Sequence, residues 1–145
     1  MLVATNRTIT GKGTTGRQLG RGFAGALRYL GSDPVKNERN KNWRYIGPPG
    51  KDARDALRKV RNSGKPIVVY IHGFGNGNGT IHSRLRRLES NYKVRTVGFA
   101  WPSKGPYQKQ QDRTRASVGH LAEFLANLDQ TGFGDEKVTL LTHSM

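Results

Sequence analysis

The sequence predicts an α/β chain, a three-layer α/β/α sandwich in which a mostly parallel sheet carries helices on both faces. Three observations lead there. From residue 51 onward, apolar runs of strand length alternate with stretches at helical spacing, in units of about 30 residues, the repeat of a strand–helix–strand crossover. Ile67-Val68-Val69-Tyr70-Ile71 is an unbroken, largely β-branched run between Pro66 and Gly73, the mark of a strand buried on both faces. Glycine- or proline-rich loops follow the strands at Gly73–Gly79 and Trp101–Pro106.

Each element has its own justification. Residues 1–50 open with Leu2-Val3-Ala4-Thr5, apolar enough for a short strand, then become rich in Gly, Arg and Asn. They read as a basic segment of loops, with at most one short element around Phe23–Leu30. Residues 51–145 read as the regular domain. Asp52–Asn62 places Ala53, Ala56, Leu57 and Val60 at helical spacing, and Ser63-Gly64-Lys65-Pro66 ends that helix. After the Ile67–Ile71 strand, Thr80 is placed to cap a helix over Ile81–Ser90, with Ile81, Leu85 and Leu88 on one face. Val94–Ala100 is the next strand. A long helix from Gln108 to Leu128 carries a stripe of Val118, Leu121, Phe124, Leu125 and Leu128, and Val138–Thr142 is the last strand.

Composition narrows the function classes. The 145 residues hold no cysteine, so disulfides, thiolate catalysis and cysteine-based zinc sites are excluded. The longest aliphatic or aromatic run, Ile67–Ile71, is far short of the ~20 residues that span a bilayer. The N-terminus has no apolar stretch of the secretory type, and the glycines of residues 11–25 oppose the amphipathic helix of a transit peptide. A cytoplasmic protein without a membrane span is expected. The net charge is +15, and residues 1–65 supply most of it, with 15 Lys and Arg against 4 Asp and Glu. Such a field attracts polyanions, nucleic acid first among them; the plainer reading is a solvated basic surface, or one neutralised by an acidic C-terminal half.

Parallel strands joined by crossovers gather their chemistry in the loops beyond the strands' carboxyl ends. Three such loops converge here: His72–Gly79, Trp101–Pro106 and the turn at Ser144. Leu141-Thr142-His143-Ser144-Met145 ends a strand on a serine, which is how the nucleophile elbow G-x-S-x-G begins; Thr142 takes its first small position. His72-Gly73-Phe74-Gly75, directly after a buried strand, suits an oxyanion loop, with Gly73 allowing close main-chain approach and Phe74 donating its N–H. Met145, the residue after the serine, would supply the second N–H. A bare glycine-rich turn is the alternative. A phosphate loop fails in detail, because Gly73–Thr80 lacks the lysine a P-loop needs and G-x-G-x-x-G breaks at Asn78.

The chain resembles the N-terminal part of an uncharacterised α/β-hydrolase family, a domain of unknown function related to lipases and esterases. The matching segments lie in order: Val3-Ala4-Thr5-Asn6-Arg7; Val69-Tyr70-Ile71-His72-Gly73-Phe74-Gly75; Phe99-Ala100-Trp101-Pro102-Ser103; Tyr107 and Asp112-Arg113 with Ala116 and Ser117; and Leu141–Met145. From residue 66 the likeness is nearly complete; over 1–65 it rests mainly on the opening residues. The resemblance implies the α/β-hydrolase fold with its C-terminal strands missing, and a Ser–His–Asp hydrolase with Ser144 as nucleophile and the loop after Ile71 as oxyanion hole. It implies no substrate; the order of the motifs leads to the expectation of a small-molecule ester or amide.

The chain order of the triad in this fold is Ser, Asp or Glu, then His, so the acid and base are expected after Met145. Local histidines do not replace them: His143 adjoins the serine, His72 is assigned to shaping the oxyanion loop and to substrate contact, and His82 and His120 fall on helices. No histidine pair has metal-ligand spacing, so neither a metal nor another cofactor is expected. Trp101 either lines the substrate pocket or closes the core beside Pro102. Asp112 either holds the Trp101 loop or is a solvated carboxylate. The expectation is therefore a serine hydrolase, inactive and self-associating as a lone chain, with its last strand an uncovered edge. Its expected partner is a complementing C-terminal half or further copies of itself. Alternatively, residues 1–50 fold back over that edge. The alternative function is a non-catalytic basic module that contacts a polyanion through residues 1–65.

Overall fold

The computed structural model describes residues 1–32, 41–135 and 137–143. The chain runs β1 (Leu2–Thr10), β2 (Gln18–Ser32), β3 (Trp43–Gly47), α1 (Lys51–Arg61), β4 (Ile67–Ile71), α2 (Asn78–Tyr92), β5 (Arg95–Ala100), α3 (Tyr107–Gln130), a 3-10 turn (Phe133–Asp135) and β6 (Val138–Thr142). The strands form one mixed sheet in the order β3-β2-β1-β5-β4-β6. The β1–β5, β5–β4 and β4–β6 pairings are parallel, and β1–β2 and β2–β3 are antiparallel.

Alternation along the strands divides the core into two layers. Leu2, Ala4, Val69, Val97 and Phe99 face α1 and α3, where Leu57, Phe124 and Leu128 meet them. Val3, Leu30, Tyr70 and Ala100 face α2, where Ile81 and Leu85 close the other side. The result is the three-layer α/β/α sandwich. No helix among the described residues is long and apolar enough to cross a membrane.

The first half differs from its sequence reading. The strand expected at Leu2–Thr5 is present and runs on to Thr10 as β1, but in place of loops and one short element the segment adds two more strands, and β2 alone is 15 residues long. The pairing of β1 with β2 carries register shifts between Thr5 and Arg7 and between Arg7 and Ile9, and these bulges erase the alternation a strand normally shows. Gly11, Gly13 and Gly16 all have positive φ and turn the chain back between the two strands. Arg17 ties that turn, donating from Nε to the Gly13 carbonyl and from Nη1 to the Gly11 carbonyl, each at 2.5 Å.

Two further expectations are corrected. Thr80 does not cap α2, which begins at Asn78 after Gly77 and has no side-chain cap. Asn78 instead pins the helix to the sheet: its Oδ1 accepts from the Leu19 N–H at 3.0 Å and from Trp43 Nε1 at 2.8 Å, and its Nδ2 donates to the Lys41 carbonyl. On α3, Phe124 and Leu128 are buried, but Val118 (60% exposed) and Leu125 (43%) are not. They flank the side of the sheet that ends in β6, where Val138, Leu140 and Leu141 are also exposed. The N-terminal strands extend the opposite edge, beyond β5, and leave β6 an edge strand among the described residues.

Gly98 lies mid-strand in β5, where an added Cβ would stand 3.1 Å from Leu85 Cδ1 and 3.4 Å from Val3 Cγ2. The missing side chain is what lets α2 seat against the sheet. Gly98→Val is expected to cost about 1–3 kcal/mol by overpacking, seen in urea unfolding as a lower midpoint at unchanged slope. An unchanged midpoint would show that α2 has room to shift.

Candidate active site

Strand register brings the site together. Thr5 of β1 pairs with Ala100 of β5, and Ile71 of β4 pairs with both Phe99 of β5 and Thr142 of β6. β4, β5 and β6 thus end level with the point where β1 stops pairing with β5, and His72, Trp101, His143 and, within β1, Asn6 are the residues that follow. His143 continues the ladder by donating its N–H to the Ile71 carbonyl at 3.0 Å. Ser144 and Met145, the expected nucleophile and second oxyanion donor, lie outside the described residues.

His72 is 2% exposed, and both ring nitrogens are engaged. Nδ1–H donates to the Gly73 carbonyl at 2.8 Å, and Nε2 accepts the Trp101 N–H at 3.0 Å. These partners dictate the tautomer, since a carbonyl can only accept and an amide N–H can only donate. The Trp101 indole Nε1–H returns a bond to the His72 carbonyl at 2.8 Å, and the two rings stack with centroids 5.4 Å apart. Burial, with the charges of Arg7 and Arg84, pushes the imidazole down to about 4 against hydrogen bonds that raise it. His72 is therefore neutral at physiological pH, with no lone pair left to take a substrate proton.

The loop after His72 is held rigidly. Asn76 Nδ2 donates to the Gly73 carbonyl at 2.8 Å and to the Phe74 carbonyl at 3.2 Å. The Gly75 N–H donates to the Ser103 carbonyl at 2.8 Å, and Ser103 Oγ donates to the Asn76 carbonyl at 3.2 Å. Arg7 completes the clamp from β1, with Nη1 donating to the Asn76 carbonyl at 3.1 Å and Nε to the Gly20 carbonyl at 2.6 Å. Its side chain is fully buried, and burial together with the nearby Arg113 lowers the guanidinium to about 10, so it stays charged at neutral pH. Amid these bonds the Phe74 N–H has no hydrogen-bond acceptor among the described residues. The Phe74 ring packs edge-on against Trp101 at 5.3 Å and tilts toward Tyr107 at 5.8 Å.

A cavity of about 320 Å³ opens beside His143, walled by Ile71, Phe99 and Thr142 from the sheet, Trp101 from its loop, and Val118 and Leu121 from α3. Its lining is largely apolar. His72 and Trp101, the two residues assigned to substrate contact, both border it. The remaining histidines lie apart in function: His82 is buried edge-on against the Trp43 ring at 4.9 Å, and His120 Nδ1 lies 3.4 Å from Asn6 Nδ2. Among the described residues no three His, Asp or Glu side chains gather as metal ligands would.

Three residues with structural roles at the site escaped the sequence reading: Arg7, Asn76 and Ser103. Arg7 and Ser103 act through partners distant in sequence, and Asn76 joins them through its carbonyl, so no local spacing marks these roles. Asp112 is exposed and does not hold the Trp101 loop. Arg113 does, donating from Nη1 to the Lys104 carbonyl at 2.5 Å, and Gln110 Nε2 donates to the Gly105 carbonyl.

The depressed His72 has a consequence for stability. Its folded value, about 4, lies below the ordinary 6.5, so between these pH values the unfolded chain binds the extra proton and folding opposes it. The contribution is complete above about pH 6.5 and is lost as pH falls toward 4, on the order of 3 kcal/mol over that window. Urea unfolding at pH 7, 5.5 and 4.5 should show this decline, and His72→Gln should flatten it. An equal slope in both proteins would assign the acid sensitivity elsewhere.

No curated protein and no solved structure matches the chain. A protein family does: the one described as "Alpha/beta hydrolase of unknown function (DUF900)" matches residues 51–145, from the first residue of α1 to Met145. That span contains the His72 loop, the Trp101 loop and the strand leading to Ser144, and on this match the chain belongs to that family of alpha/beta hydrolases.

Proposed function

We propose that this chain carries the nucleophile side of an esterase- or lipase-like serine hydrolase site, with Ser144 attacking the carbonyl of a small-molecule ester or amide. The observation that carries the reading is the Phe74 N–H. It has no acceptor among the described residues, in a loop whose Gly73, Phe74 and Asn76 carbonyls are all held by hydrogen bonds, next to the strand end that leads to Ser144. A preorganised donor of this kind stabilises an oxyanion without reorganising during the reaction. The Met145 N–H is the second donor in this reading. The apolar cavity between β4, β6 and α3 takes the acyl chain, with Trp101 and His72 at its border. Two of the described histidines are committed elsewhere and do not serve as the general base: His72 to Gly73 and Trp101, and His82 to the Trp43 ring.

A fluorophosphonate probe tests the assignment on the full-length protein. Ser144 should be the labelled residue, and Ser144→Ala should abolish labelling. Undiminished labelling in that variant would overturn it.

The lone 145-residue chain is proposed to have no esterase turnover above buffer, because a serine hydroxyl without a base is a poor nucleophile at neutral pH. It is further proposed to self-associate along β6, whose five residues are all exposed and whose Val138, Leu140 and Leu141 present apolar side chains at an open edge. Light scattering of the purified chain should show oligomers, and Leu140→Lys should shift them toward monomer. A wild-type monomer with a sharp thermal transition would refute the edge-pairing reading.

A further inference from the structure

A second concavity lies away from the cavity at His143, on the antiparallel end of the sheet. It is a cleft of about 540 Å³ lined by Arg17, Phe23, Arg28 and Tyr45 together with Thr8 and Ile9 of β1. Three features make it unlike an ordinary surface groove. Arg28 makes no hydrogen bond or ion pair among the described residues, although it is half-buried. Arg17 is held by the Gly11 and Gly13 carbonyls with its guanidinium carbon 6.0 Å from the Tyr45 ring centre, so its position is set in advance. Phe23 is 40% exposed, a large aromatic with no cover on its open side.

The surroundings are of one sign. Residues 1–32 and 41–47 contain seven Lys and Arg and not one Asp or Glu. Lys12, Arg21 and Arg44 are exposed on the turn and strands that frame the cleft. A volume of this size accommodates a small organic group, and one preset guanidinium, Arg17, with one unpaired among the described residues, Arg28, beside aromatic side chains suits a planar ring joined to a phosphate. The cations continue past the cleft along β2 and β3, which favours a chain of phosphates over a single one.

We propose that this cleft binds single-stranded nucleic acid, with one base stacked on Phe23 and the adjoining phosphate taken by Arg28 and Arg17. Stacking on aromatic side chains within a basic groove is the general chemistry of strand binding without sequence preference. The site is independent of Ser144 and of the hydrolase reading.

Fluorescence anisotropy of a labelled twelve-residue oligouridylate, with the 145-residue chain at 50 to 200 mM salt, tests it. Binding should fall linearly on a log–log plot against salt. Arg28→Gln should lower the magnitude of that slope by about 0.7, the value for one phosphate contact on a single strand. Phe23→Ser should weaken binding about ten-fold with little change in slope, the signature of lost stacking. Arg58→Gln on α1 and Ser144→Ala should bind as wild type, and circular dichroism melts should confirm that all variants fold. Any of four results would overturn the proposal: no oligouridylate binding at 100 mM salt; Arg28→Gln and Phe23→Ser both binding as wild type; uridine monophosphate binding as tightly as the oligomer, which would make this a mononucleotide site; or binding to vesicles containing phosphatidylserine in place of the oligomer.

Discussion

The buried charge of Arg7 is the constraint on which the rest of the site depends. A guanidinium removed from water is costly unless its donors are satisfied, and no carboxylate among the described residues serves it. Carbonyl oxygens do: Gly20 on β2 and Asn76 in the loop after β4. Those acceptors can be in reach only if β2 curls over the end of β1 and the His72 loop folds down onto the same spot. Meeting the needs of one side chain therefore joins the antiparallel half of the sheet to the parallel half that carries the site.

β1 makes this geometry available because it pairs on both edges, antiparallel to β2 and parallel to β5. Thr5 marks the crossover. Its hydroxyl donates to the Ala100 carbonyl at 2.7 Å and accepts the Arg7 N–H at 3.1 Å, which secures the backbone where the bulge begins. Beyond that point the bulged register turns Arg7 inward, where regular alternation offered it no such acceptors. Downstream, the Asn76–Ser103 contacts and the His72–Trp101 pair lock two loops to each other. The Gly73, Phe74 and Asn76 carbonyls are thereby spent on structure, while the Phe74 N–H has no acceptor among the described residues.

The two faces of the sheet are unequally finished. The α2 face is closed by Ile81 and Leu85, with Gly98 admitting Leu85 at close range. On the other face α1 and α3 cover the middle of the sheet through Leu57, Phe124 and Leu128, while Val118, Leu125 and the β6 side chains remain in solvent. The same absence of cover opens the cavity beside His143, so the proposed acyl site and the apolar edge share one cause.

The sequence by itself determined the elements whose signal is local and continuous. The Ile67–Ile71 and Val138–Thr142 strands occur with the boundaries their apolar runs indicate, and α1, β5 and α3 fall within one or two residues of theirs. It also determined that the loops after β4 and β5 would share a rim with the end of β6, because parallel strands joined by crossovers leave no other arrangement. Tertiary structure decided the remainder. β2 was illegible because its glycines and bulges remove the period of two on which a strand reading rests. Thr80 had the right residue type for a cap, but Asn78 found better partners on β2 and β3 and started the helix earlier. Asp112 had the right charge to hold the Trp101 loop, yet Arg113 was one residue better placed to reach a carbonyl. Arg7 and Asn76 are 69 positions apart, and their contact exists only once the sheet has formed. Local propensity needs only neighbours along the chain, whereas a buried polar group is satisfied by whatever the fold brings within 3 Å, and that is settled by packing.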